Sequence, residues 1–158
     1  MWRNPYPQRK HPHHGVIELP KKPTVVFVTV GLENRYRPVL ATPVIHDLLR
    51  AIWLQADYWR VNWYMIMPDH LHFFTVLGEL DFSLERWMAY WKSQYTKAHL
   101  LSTPPLETNH WDTTIRSAAH FREKWEYMRQ NPVRKGLVER TEDWPYQGFV
   151  HEFMWMET

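Results

Sequence analysis

The chain contains no cysteine, carries little net charge and has no long hydrophobic run. The lack of thiols excludes a disulfide framework and a thiolate zinc site. No apolar stretch approaches the ~18 residues that a membrane-spanning helix needs. The polar, proline-rich start "MWRNPYPQRKHPHHG" is unlike a secretory leader. These absences favour a protein of a reducing interior with no membrane partner.

The most unusual feature that is present is the aromatic content. Ten tryptophans and 16% aromatic residues occur in 158 residues, a length that suits one domain with a real core. Such rings can fill a dense core or offer flat surfaces on which bases stack, and the first use is the commoner one. The net charge of +2 permits a nucleic-acid partner without requiring it, since a polyanion needs only one local basic face.

Sequence periodicity predicts the element order β-α-β-β-α-β-α. Thr42 is a suitable N-cap and Pro43 suits the first helical position, while Pro68 and Asp69 form a turn between two strands. Pro132 ends the last helix, because the residue before proline avoids the helical region. The expected elements are a strand at 24–30, a helix at 43–56, strands at 59–67 and 70–77, a helix after Ser83, a weak strand within 110–117 and a helix at 118–131.

The first six elements match the split βαβ, or ferredoxin-like, pattern. This pattern predicts an α+β fold in which a four-stranded antiparallel sheet carries helices on one face. The chain is expected to divide into an extended, basic, proline-rich arm (1–22), a main domain (23–147) and an irregular tail (148–158). The fold alone hosts many functions and decides none.

Two histidines stand one residue apart in "MPDHLHFF", within a run that is otherwise mostly hydrophobic. Because strand side chains alternate, His70 and His72 share one face of the strand with Phe74 and Val76. Two neutral imidazoles on one face can bind a single divalent cation. An HxH pair on an open sheet face is also common by chance, so this signal needs a third ligand and a reactive group.

A polar row follows the last predicted helix beside its buried stripe. Tyr127 and Asn131 are four residues apart and therefore stack on one helix face, together with His120 and Glu123. The stripe itself consists of Ala118, Phe121, Trp125 and Met128. Taken alone, Tyr127 fits equally well as a boundary aromatic with its hydroxyl in water, and Asn131 as a helix-terminal residue.

Read together, these pieces resemble a known family. "MPDHLH", the helix "WMAYWKSQYTKAHL", "IRS", "EYMRQNPVRKGLV" and "DWPY" follow in the order seen in REP-associated tyrosine transposases, within the single-tyrosine HUH endonucleases. The resemblance spans about residues 23–147, and the combination of PxHxH with YxxxNPVxxGL is far more specific than either half.

The resemblance implies a set of site residues. Tyr127 falls on the nucleophile, while His70, His72 and Asn131 fall on the ligands of a divalent metal, Mg²⁺ or Mn²⁺. Asn131 stands where insertion-sequence relatives usually have Gln, Asp69 stands where Asn is commoner, and Glu123 is a reserve ligand. The expected DNA-binding residues are Arg3, Arg9, Lys10, Lys92, Arg116, Arg134 and Lys135; the arm positions among them are assigned by charge rather than by the family motifs.

The implied activity is metal-dependent cleavage and transfer of single-stranded or hairpin DNA through a 5′-phosphotyrosine, by a monomer or homodimer associated with a bacterial nucleoid. Aromatic side chains and modest charge suit such a substrate, because any base can stack on an aromatic ring whatever the DNA sequence. Two other functions stay open. One is a metal-dependent phosphoesterase that activates water and uses Tyr127 only as a substrate contact. The other is a domesticated, non-catalytic binder of single strands.

Overall fold

The computed structural model describes residues 17–18, 24–98 and 103–154. Its strands are β1 (Ile17–Glu18), β2 (Val25–Gly31), β3 (Trp59–Ile66), β4 (His70–Leu77), β5 (Trp111–Ile115), β6 (Gln147–Phe149) and β7 (Phe153–Met154). Its α-helices are α1 (Pro43–Gln55), α2 (Leu84–Ala98), α3 (Ala118–Arg129) and α4 (Asn131–Arg134), and a short 3-10 helix covers Thr141–Asp143. None of the helices in these ranges is long and apolar enough to span a bilayer.

The main sheet is antiparallel and has the strand order β5-β2-β4-β3-β6. Its first four strands, with α1 and α2 between them, have the ferredoxin-like arrangement that the sequence predicts. The hairpin of β3 and β4 closes through a tight turn in which Met67 N donates to His70 O at 2.7 Å. This turn fixes the position at which the two histidines begin β4.

Helices α1 and α2 pack on one face of this sheet. Thr42 caps α1 as predicted, since its Oγ1 accepts a hydrogen bond from Ile45 N at 3.3 Å. Aromatic rings dominate the core beneath the two helices, which confirms the core role for these tryptophans. The fully buried large residues there include Trp53, Tyr64, Phe73, Trp87 and Trp91.

Helix α3 packs on the opposite face, the one that carries His70 and His72. Two residues of α3 make this contact. Met128 is fully buried, and the ring centroid of Phe121 lies 4.3 Å from that of Phe74 on β4. Phe27, beside Phe74 on the neighbouring strand, belongs to the same cluster. The histidine face of the sheet is therefore half covered by the helix that bears Tyr127.

The chain after Pro132, in which the sequence predicts no further helix or strand, contains regular secondary structure. Pro132 does not end helical structure, because it occupies the first turn of α4 immediately after α3. Farther on, β6 adds a fifth strand beside β3, across the expected domain limit at 147. A strand of three residues has too little periodicity to be read from sequence; pairing with the edge of β3 stabilises it.

The predicted N-terminal arm lies outside the described residues except for β1. This two-residue strand pairs in parallel with β7, so that Ile17 aligns with Phe153 and Glu18 with Met154. The C-terminal segment thus contacts both the main sheet, through β6, and the end of the arm.

Candidate active site

His70 and His72 point their Nε2 atoms at each other. The two atoms are 3.1 Å apart and the ring centroids 4.7 Å apart. Alternation along β4 places both rings on the α3 face, and the partly buried positions leave an opening to solvent. The fold therefore places the two predicted histidines with their Nε2 atoms side by side.

The other nitrogen of each ring is held by a neighbour. His70 Nδ1 lies 2.7 Å from Asp69 Oδ1, and His72 Nδ1 lies 2.8 Å from Thr29 Oγ1 on β2. Such partners fix ring orientation, as they do around histidine ligands of metals. Asp69 therefore has a role here that its turn position alone did not suggest.

Electrostatics keep His72 in the form that binds cations. Burial, together with the charges of His70, Arg134 and Lys124, lowers the pKa of His72 to about 3. Burial raises the pKa of Asp69, but the hydrogen bond to His70 and nearby positive charge outweigh that effect, so its pKa is below the usual value. At neutral pH His72 is uncharged and Asp69 is an acceptor only.

The pair fits a small divalent cation. In a neutral His70 that donates to Asp69 from Nδ1, Nε2 carries the lone pair that a metal ion needs. Adjacent ligands of an octahedral ion with bonds of about 2.1 Å lie roughly 3 Å apart, close to the observed separation of 3.1 Å. Two imidazoles held in this way could serve as two ligands of a divalent metal ion.

Tyr127, Asn131 and Arg134 form a second group at the junction of α3 and α4. The Arg134 guanidinium lies 4.0 Å from the Tyr127 ring centroid and donates to Tyr127 O at 2.7 Å. Its Nη2 also donates to Asn131 Oδ1 at 3.2 Å. Tyr127 is 60% exposed, while Asn131 is buried. The predicted nucleophile is open to a substrate, and Arg134 holds it in place.

Positive charge links the two groups. Arg134 and Lys124 both act on His72 through their charges. Lys124 Nζ lies 5.8 Å from the ring centroid of Phe27, which itself stacks on His72 at 5.2 Å. Within the described residues, no hydrogen bond joins Asn131 to either histidine.

A REP-associated tyrosine transposase of Escherichia coli (strain K12) is 32% identical to this chain over 128 residues, which make up 78% of this chain and 74% of the relative. The chain belongs to the REP-associated tyrosine transposases. A putative member from Haemophilus influenzae is 27% identical over 138 residues, covering 78% of each chain. The resemblance carried by the sequence motifs is thereby confirmed, although no family model matches the chain.

A solved structure of a REP-associated tyrosine transposase bound to a REP hairpin has the same fold. Its TM-score is 0.69 at 24% sequence identity, over 89% of this chain and 82% of that one. The match covers most of the chain, and it shows that this transposase-family protein and the solved structure share a fold.

The residues predicted to bind DNA have different surroundings in this transposase-family fold. Arg3, Arg9 and Lys10 lie outside the described residues, whereas Arg116, Arg134 and Lys135 are exposed. Lys92 lies on α2, away from the histidine face, and its Nζ donates at 3.0 Å to both Glu107 O and Thr108 O. Burial lowers the pKa of Lys92. The structure thus gives Lys92 a part in holding the segment before β5.

Sequence reasoning missed four residues of this site: Thr29, Arg35, Asp69 and Lys124. Arg35 stands near Asp69, since its charge helps to lower the pKa of that carboxyl. Lys124 acts on His72 through its charge, while Glu123, the reserve ligand predicted from sequence, is exposed. Lys124 lies three residues before Tyr127, a helical neighbour whose spacing could have indicated it.

A separate cluster could hold a cation on the opposite face of the sheet. Within the described ranges, Glu85, His110 and Asp112 are the three side chains of type His, Asp or Glu that converge closely enough to do so. His110 Nε2 lies 3.6 Å from Glu85 Oε1 and 3.2 Å from Asp112 Oδ2. These residues are not among the predicted ligands; Glu85 lies on α2 and Asp112 on β5.

Proposed function

We propose that this chain is a metal-dependent endonuclease and strand transferase for single-stranded DNA, with Tyr127 as its nucleophile. The observation that carries the proposal is the convergent histidine pair on the face covered by the tyrosine helix. Membership in the REP-associated tyrosine transposases supports a transposase type of chemistry. A histidine pair or an exposed tyrosine by itself would be common in any protein, whereas the two together on one face are specific.

The metal would be held by His70 and His72, with the amide oxygen of Asn131 as third ligand. Asn131 Oδ1 already accepts one hydrogen bond from Arg134 and has a second lone pair available. When bound, Mg²⁺ or Mn²⁺ supplies a Lewis acid that polarises the scissile phosphate and neutralises its developing charge.

The side chains of this protein would position the reacting groups. Arg134 keeps the Tyr127 ring in place and offers positive charge beside it, while Lys124 adds positive charge near His72. Tyr127 Oη forms a bond to phosphorus and loses its proton to solvent. The bond from phosphorus to the 3′ oxygen breaks, and this oxygen takes up a proton to leave a free 3′-OH.

The resulting phosphotyrosine conserves the energy of the phosphodiester. A 3′-OH can therefore attack it in reverse, which rejoins strands and restores Tyr127 without ATP. One tyrosine makes one covalent link at a time, so transfer requires a second strand end or a second protomer. The solved relative is bound to a REP hairpin, and we propose a hairpin with single-stranded flanks as the substrate here.

Replacement of one oxygen tests the nucleophile. Tyr127→Phe should keep the melting temperature and DNA affinity near wild type, because the ring is exposed and its contact with Arg134 remains. A labelled hairpin library with Mn²⁺ should give a protein–DNA adduct on a denaturing gel with wild type but not with Tyr127→Phe. Tyr90→Phe, at an exposed position of α2, is the matched control and should form the adduct normally. An adduct in Tyr127→Phe would show that the nucleophile is misassigned.

Replacement of the histidines tests the metal. The double variant His70→Ala/His72→Ala should lose cleavage in Mn²⁺ while retaining its fold, because the electrophile is no longer held. Cleavage at the wild-type rate would refute the site. Wild-type cleavage without an adduct would favour the water-activating phosphoesterase, and binding without cleavage would favour the non-catalytic binder.

A further inference from the structure

Trp111 is the first residue of β5, at the edge of the sheet, and 63% of its surface is exposed. Tryptophan offers a large apolar face whose exposure to water is unfavourable, and such residues commonly serve as contacts for a partner. Trp53, Trp87 and Trp91 are fully buried in the core, so the environment of Trp111 is different from theirs.

The strand register places Trp111 on the histidine face. Trp111 is paired with Thr29, and Thr29 with His72 on the next strand. Thr29 Oγ1 contacts His72 Nδ1, so all three side chains of this row point to one side. Ile115, four residues farther along β5, has the same orientation and is buried in the cluster beneath α3.

The register also sets the distance between the tryptophan and the histidines. Neighbouring strands are about 4.8 Å apart, so Trp111 lies roughly 10 Å from His72 across two strands. A nucleotide adjacent to a phosphate held at the histidine pair would lie within this distance. Lys124, near His72, provides positive charge beside such a backbone path.

The surroundings favour a base over a protein partner. Thr113, two residues farther along β5 and on the same face, is exposed, and so is Arg116 just after the strand. Protein-binding surfaces usually have several contiguous apolar residues, whereas a single ring among polar and basic residues is typical of single-strand DNA binding.

We infer that Trp111 is a stacking platform for a nucleobase next to the scissile phosphate of single-stranded DNA. The inference deepens the proposed function and rests on it, because the histidine pair defines where that phosphate lies. The stacked base adds affinity with little sequence preference and holds the strand across β5, β2 and β4.

The test measures binding of labelled hairpins with single-stranded flanks in the Tyr127→Phe background, which should bind without cleaving. Trp111→Thr, a residue suited to an exposed strand, should weaken binding about 10-fold or more, and Trp111→Phe should recover part of the loss. Tyr90→Thr, which removes an exposed aromatic from α2, should bind like the parent. Melting curves establish that each variant is folded.

A second measurement locates the base. Abasic nucleotides introduced one by one along the flank should weaken binding at one position in the parent, and that penalty should vanish in Trp111→Thr. Unchanged affinity in Trp111→Thr, or an abasic penalty that persists there, would overturn the platform even if Tyr127 forms its adduct. Conversely, a missing adduct with an intact Trp111 effect would refute the catalytic proposal and retain the base-binding site.

Discussion

The histidine rings are each held through Nδ1, one by a carboxylate and one by a hydroxyl. Asp69 Oδ1 lies 2.7 Å from His70, and Thr29 Oγ1 lies 2.8 Å from His72. Because the hydrogen bond at one nitrogen fixes what the other can do, these two partners determine whether Nε2 is ready to bind a metal.

Asp69→Ala should weaken binding of Mn²⁺ by roughly 10- to 100-fold, because His70 would lose the acceptor that orients its ring. Asp69→Asn should lose much less, since an amide oxygen still accepts from Nδ1. Calorimetric titration of Mn²⁺ into each variant measures the effect. Equal affinities for wild type and Asp69→Ala would show that the ring does not depend on this carboxylate.

A second buried histidine makes stability depend on pH. His46 Nε2 lies 2.7 Å from Tyr64 Oη, and Arg50 donates to the same oxygen. Burial, with the charge of Arg50, lowers the pKa of His46 to about 4. Between these pKa values His46 binds a proton in the unfolded chain but not in the folded one. The contribution of His46 to the unfolding free energy is therefore fully present above pH ~6.5 and is lost as the pH falls toward 4.

His46→Gln keeps a hydrogen-bonding side chain but does not titrate. Between pH 7 and 4.5, wild type should lose about 2 kcal/mol more unfolding free energy than this variant. Urea unfolding at both pH values measures the difference. Equal losses in the two proteins would show that His46 is not the group responsible.

At the scale of elements, β4 was predicted with its observed limits, and the start of α1 with its cap. Alternation, capping and turn residues are local signals, so sequence alone reveals them. The charge effect of Lys124 on His72 and the row from Trp111 through Thr29 to His72 were not predicted. Both depend on strand register and on where α3 sits over the sheet, which no local pattern contains.

The most consequential missed element is β6. It supplies backbone pairing along β3 and an acceptor, Phe149 O, that takes a hydrogen bond from buried Arg50 at 3.0 Å. Just beyond it, His151 O accepts from Asn62 Nδ2 at 2.6 Å. These contacts join the segment to β3 and to buried polar side chains of the main domain.

Truncation after residue 146 should therefore lower the unfolding free energy by about 3 kcal/mol or more, because bonds to a buried guanidinium are costly to lose. Truncation after residue 154 retains β6 and β7 and provides the matched control. Chemical denaturation of the two products compares them. A chain ending at residue 146 with wild-type stability would show that these contacts do not stabilise the fold.

On the scale of the whole molecule, a net charge of +2 conceals a local concentration of cations. Lys124 and Arg134 surround the histidine pair, with Arg35 beside Asp69. Arg3, Arg9 and Lys10 add charge in the arm, whose described end, β1, is tied to β7. DNA affinity should therefore depend on two regions that contribute separately to the response to salt.

Deletion of residues 1–16 leaves β1 in place and removes Arg3, Arg9 and Lys10, three of the five lysines and arginines of the arm. If each neutralises a phosphate of a single strand, the slope of log affinity against log salt should fall in magnitude by about 2, at roughly 0.7 per contact. The melting temperature should change little by comparison. The substitutions Arg3→Ser, Arg9→Ser and Lys10→Ser in the full chain should reproduce the change if charge alone is responsible. Fluorescence anisotropy with a labelled hairpin from 50 to about 200 mM salt measures the slopes, and unaltered slopes in both proteins would show that the arm does not contact DNA.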